Sequence, residues 1–134
     1  MLLVLVRAVA IAALVAFLVG CNGGTVDRHA LGSDAATIDS IACEGALLAD
    51  GVSQGKTTSA FTRGQAEALE IQASNFADAL AKRPALPSIE RKVRAKANEA
   101  ARLAATLRRL HDHPSDGGLA RTLEQQLTNF GGCP

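Results

Sequence analysis

The chain of 134 residues has neither Trp nor Tyr, four Phe and a single Met. Without broad aromatic faces there is no usual platform for stacking sugars or bases, which counts against a lectin-like or nucleic-acid-binding role. β-Branched and aromatic residues are scarce beyond the first twenty positions, which disfavours sandwiches and barrels and favours close-packed helices. Charge of one sign is also missing: 14 Lys plus Arg face 13 Asp plus Glu, a formal +1, so no global field steers the protein toward nucleic acid or an acidic surface. There is no internal repeat, no low-complexity tract and no C-x-x-C pair.

A long apolar run occurs once, at the start. Residues 1–20 carry one charge, Arg7, ahead of an unbroken apolar stretch from Ala8 to Val19. A run of this length fits the 7–15 residues of a secretion-signal core and falls short of the ~20 needed to span ~30 Å of hydrocarbon. A cleaved signal is expected, with a marginal transmembrane anchor counted from Met1 as the alternative.

The run ends in Leu18-Val19-Gly20-Cys21, which resembles the lipobox of bacterial lipoproteins: an aliphatic residue at minus three, a small one at minus one, then the retained Cys. The resemblance covers the signal region alone and names no family for residues 22–134. It implies a diacylglyceryl group on the Cys21 sulfur, cleavage between Gly20 and Cys21, and a further acyl chain such as palmitate on the new amino terminus. Several acyl chains on one residue would hold the protein firmly at a leaflet, since each buried methylene adds ~0.8 kcal/mol. The implied address is the bacterial cell membrane or envelope. In a host with an outer membrane, Asn22 after the lipid-bearing Cys would direct it there by the sorting preference of enteric lipoproteins.

Assigning Cys21 to lipid leaves Cys43 and Cys133, an even number in an oxidising compartment, and a disulfide is their simplest use. Removing the leader with its one Arg leaves 114 residues with 13 basic and 13 acidic side chains. Residues 21–33 are polar and Gly-rich and are expected to form a flexible tether with an r.m.s. reach of about 20 Å.

The remainder, residues 34–134, has helical periodicity throughout. A first helix is expected from Ser33 or Asp34, with Ile38, Ile41, Gly45 and Leu48 on one face, stopping at Asp50-Gly51. A second places Phe61, Leu69, Gln72, Phe76 and Leu80 together and ends before Pro84. A third takes Pro87 into its first turn and sets Leu86, Ile89, Val93, Ala97, Ala100, Leu103, Leu107 and Leu110 in one stripe ending near His111. A fourth is capped by Ser115 or Asp116 and aligns Leu119, Leu123, Leu127 and Phe130 before Gly131-Gly132. The fold class is all-α: a small up-down bundle of about four helices with one disulfide.

Candidate chemistry is sparse. Gly51-Val52-Ser53-Gln54-Gly55-Lys56-Thr57 has one residue too few between its glycines for a phosphate-binding loop, so no nucleotide is assigned. His111 and His113 flank Asp112, with His29 far upstream, and are weak candidates for zinc or copper. Two positions apart on a helix they point about 200° from each other. Glu67, Glu70 and Asp78 read as a solvated face, and an axial Met for haem is lacking because Met1 leaves with the signal.

Arg91, Arg94, Arg102 and Arg109 form a basic ridge opposite the Leu stripe of the third helix. The ridge suits an anionic lipid, an acidic polymer or an acidic envelope protein. Pairing with Asp34, Asp39 and Glu44 of the first helix is the plainer use. No Ser/His/Asp or Cys/His set has a spacing that predicts convergence. The expected function is therefore a lipid-anchored, non-catalytic envelope interaction or structural module without cofactor. The alternatives are an envelope metal-binding protein and an enzyme of unknown type.

Overall fold

The computed structural model describes residues 24–131 and 133, so the expected leader and Cys21 lie outside the described residues. Four helices follow one another: α1 (Arg28–Ser53), α2 (Ser59–Lys82), α3 (Glu90–Asp112) and α4 (Gly117–Phe130). They form an up-down bundle, and no strand occurs among the described residues apart from an isolated parallel bridge between Val26 and Ala85.

α1 begins at Arg28, not at Ser33 or Asp34, because Asp27 is an effective cap: its carboxylate accepts the Ala30 N–H at 2.8 Å. The expected tether is corrected accordingly. Its second half is helix, and Val26 is fully buried and pinned, its N–H donating to the Pro84 carbonyl (2.8 Å) and its carbonyl accepting from Leu86 N–H (3.3 Å).

The other end of α1 also lies beyond the expected Asp50-Gly51. Gly55, at φ +66°, donates to the Val52 carbonyl while Lys56 N–H donates to the Gly51 carbonyl. These paired bonds around a left-handed residue are a Schellman stop. The segment that resembled a phosphate loop is thus a helix terminator.

α2 is capped by Thr58 and ends at Arg83, which Pro84 holds extended. Its inward stripe is Thr62, Ala66, Leu69, Ala73 and Leu80, rotated from the expected one, with Phe61 and Gln72 exposed. Two Ala in that stripe bring α2 close against α3, its main partner. Pro87 lies in a turn before α3, closed by Ile89 N–H donating to the Leu86 carbonyl, so it does not enter the first helical turn. The expected α3 stripe is buried from Ile89 to Leu110, but Leu86 lies in the turn before the helix and is exposed. Asp116, whose side chain accepts the Leu119 N–H, caps α4, which packs Ala120, Leu123 and Leu127 into the core.

Every buried apolar side chain among the described residues lies between Val26 and Leu127. α1 and α4 pack as a second antiparallel pair. A Cβ on Gly45 would stand 2.7 Å from Leu107 Cδ2, so any side chain there would have to displace a fully buried Leu. Cys43 and Cys133 are joined in a disulfide with Cα atoms 5.4 Å apart, tying the end of α4 to the middle of α1.

Helix length decides what the surface offers. At 1.5 Å per residue, the 26 residues of α1 run ~39 Å and the 14 of α4 only ~21 Å. α4 starts beside Ser53, at the far end of α1, and reaches only to Asp39, where a Cβ on Gly131 would lie 2.8 Å from the Asp39 carbonyl oxygen. Beyond that point the fourth position of the bundle is vacant among the described residues.

Candidate functional site

α4 meets α3 over a smaller area than it meets α1, and the α3–α4 seam opens into a groove of about 550 Å³. Arg102, Ala105 and Arg109 line it from α3, and Gln126, Asn129 and Phe130 from α4. Helical spacing explains the first set, because 102, 105 and 109 fall on successive turns of one face. The second set follows α4's inward Leu123 and Leu127 around to its flank.

The chemistry of the groove is donor-rich. Two guanidiniums and two carboxamides surround an apolar floor of Ala105 and half-buried Phe130, and neither Arg102 nor Arg109 has an ion-pair partner among the described residues. Thr106 is occupied locally, its hydroxyl donating to the Arg102 carbonyl at 3.0 Å. Glu99, the carboxylate in the lining, is held by Lys96 at 2.8 Å. Such a surface favours carboxylates or phosphates that can accept from the guanidinium forks.

The expected ridge divides. Arg102 and Arg109 face the groove, Arg94 pairs with Glu90 one turn away on α3, and Arg91 is exposed on the N-terminal half of the helix. None of the four pairs with α1. Asp34 instead meets Arg83 at 3.3 Å, with both side chains largely buried (17% and 16% exposed), and Arg83 Nε is buried without a partner.

Glu70 departs from its expected solvated place. Its side chain is only 12% exposed, receives Arg108 at 2.6 Å and lies 3.9 Å from His111 Nδ1. Glu67 is exposed, and Asp78 is exposed beside Lys82. His111 turns toward Glu70 and Asp112, while His113 caps α3 in solvent and His29 sits exposed in the first turn of α1. The three imidazoles are not brought together, and among the described residues no group of three or more His, Cys, Asp or Glu side chains is placed to hold a metal ion.

Sequence reasoning overlooked Arg108 with Glu70, and Gln126 with Asn129. The first pair bridges two helices and has no local spacing to betray it. The second appears in sequence only as the polar flank of an amphipathic helix. No helix of the described residues is long and apolar enough to cross a membrane. No protein-family model, curated protein or solved structure matches the chain.

Proposed function

We propose that the protein is an exported, lipid-anchored envelope lipoprotein whose helical domain is a non-catalytic interaction module. The α3–α4 groove is its docking surface for an acidic segment of an envelope partner. The observation that carries the interaction reading is the placement of unpaired Arg102 and Arg109 over an apolar floor, with Gln126 and Asn129 opposite. A binding surface that combines apolar area with a few convergent donors is what selective recognition of an acidic ligand needs.

The address is supported by the Leu18-Val19-Gly20-Cys21 motif and by cysteine parity. The Cys43–Cys133 bond uses two of three cysteines and leaves Cys21 for the lipid. A disulfide also suits an oxidising compartment.

Two measurements test the proposal. The intact mass of protein from its native membrane fraction should start at Cys21 with a lipid-sized increment, and Cys43 and Cys133 should alkylate only after reduction. A full-length chain with three free thiols would sink the address. Cross-linking in intact cells should capture a recurrent partner through the groove and lose it in an Arg102→Glu/Arg109→Glu variant of unchanged helicity. Equal capture by both forms would remove the groove from the function.

A further inference from the structure

α4's early stop leaves a second groove, of about 530 Å³, between the N-terminal halves of α1 and α3. Arg28, Leu31 and Ala35 line it from α1, and Lys92 and Ala95 from α3 together with its N-cap residue Ile89. Its floor is apolar and its edge is cationic, except at the end where the Glu99 carboxylate also lines it. Arg28 and Lys92 have no ion-pair partner among the described residues, while Lys96 is held by Glu99. At Gly32 the groove is open, since a Cβ there would meet nothing within 4 Å.

Position relative to the anchor selects the occupant. Val26 is fixed against the α2–α3 connection, so only four residues separate it from Cys21, a span of at most ~18 Å over the five Cα–Cα steps when fully extended. With Cys21 acylated, this end of the bundle is held at headgroup level, and Arg28 and Lys92 face a surface where anionic lipids reside. We infer that this groove seats one anionic phospholipid of the membrane to which the protein is tethered, its acyl chain along Leu31, Ala35 and Ile89 and its phosphate between Arg28 and Lys92. This inference rests on the lipoprotein reading for the lipid supply, but the groove chemistry can be measured without the anchor.

Because the chain has no Trp, an Ala95→Trp variant carries a single reporter in the groove, and Ile71→Trp carries one on exposed α2. Full-length variants in neutral detergent micelles are titrated with phosphatidylglycerol or phosphatidylcholine brominated on the acyl chain. The expected result is quenching of the groove reporter at a several-fold lower mole fraction of phosphatidylglycerol, with the α2 reporter indifferent to headgroup. Arg28→Gln and Lys92→Gln should each weaken the selective quenching by about fivefold. Gly32→Leu, which fills open space, should abolish it while far-UV circular dichroism stays unchanged.

Equal quenching by both lipids, or phosphatidylglycerol quenching indifferent to the two Gln variants, overturns the inference. So does displacement of the brominated lipid by polyglutamate at matched charge, which would reassign the groove to an acidic polypeptide. Native mass spectrometry of the unsubstituted protein gives an independent reading: one phosphatidylglycerol retained per chain supports the seat, and none overturns it. Selective quenching with an unmodified Cys21 mass would fail the anchor and keep the groove. An acylated Cys21 without selective quenching would do the reverse.

Discussion

Opening the Cys43–Cys133 bond should cost this domain more than most single core truncations. The bond joins residues 90 apart, and in the chain-entropy treatment closing a loop of that size contributes about 4.5 kcal/mol at 25 °C. Domains of this size have some 5–15 kcal/mol in total. The structure says where the loss appears first. α4 has 14 residues, a length at which an isolated helix is marginal in water, and it is held by Ala120, Leu123 and Leu127 and by the covalent tie just past its end. A Cys43→Ser/Cys133→Ser variant, or the reduced and alkylated protein, is therefore expected to melt roughly 15–20 °C lower. With no Trp or Tyr, the assay is urea and thermal unfolding followed by far-UV circular dichroism, with thiol mass confirming the oxidised state. Amide exchange should rise earliest from Thr122 to Phe130, while the facing stripes of α2 and α3 stay protected. A loss below ~1 kcal/mol in protein shown to carry the bond would refute the loop-closure argument.

Gly45→Ala should destabilise despite its better helix propensity, because the new methyl stands 2.7 Å from Leu107 Cδ2 and 3.3 Å from Leu127 Cδ1. Overpacking of about 1–3 kcal/mol exceeds a propensity gain of at most ~1, and a raised melting temperature would contradict the close approach. Gly55→Ala forces φ +66° on a side-chain-bearing residue and should cost about 1 kcal/mol by urea titration, with no cost if the Schellman stop is absent. Asp34→Ala strands Arg83 in its largely buried site and should cost ~2 kcal/mol, whereas Asp34→Leu/Arg83→Met should recover most of it. If the double variant is as unstable as the single one, the stranded charge is not the cause. Leu123→Ala, at a fully buried site in α4, should cost 2–5 kcal/mol in the same titration, and a loss under ~1 kcal/mol would place Leu123 outside the core.

The fold was legible where one property decided it. The α3 stripe from Ile89 to Leu110 and the Asp116 cap follow from helical spacing and local capping chemistry, and both are found as expected, while Leu86 falls in the turn that Pro87 makes before the helix. Boundaries failed where a local signal was outweighed by composition. Gly32 and the polar residues around it suggested a tether, yet Asp27 at a cap position and Leu31, Ala35, Ile38 and Ala42 at helical spacing already mark α1. In α2, weighting large side chains over Ala set the stripe on Phe61 and Gln72, but the real interface uses Ala66 and Ala73 because tight helix contact needs small residues. The basic ridge could be drawn from residue spacing, but not its partition. Whether an Arg faces a groove or an acid depends on where α4 ends and on long-range neighbours such as Glu70, which no local spacing encodes.

α4's shortness ties these features together. A bundle built from Ala and Leu packs its helices closely and closes its centre, so room for a partner has to come from the periphery. A full-length α4 would cover the N-terminal halves of α1 and α3 and leave Leu31, Ala35 and Ala95 facing another helix. The chain instead ends α4 opposite Asp39 and secures it there with a disulfide, which lets a short helix dock without the contacts its missing turns would supply. The exposed strip left behind is edged by Arg28, Lys92 and Lys96, whose aliphatic stems can lie along apolar surface while their charges stay in water. The cations that edge this strip thereby give the quarter of the bundle left open among the described residues a charge suited to anionic amphiphiles.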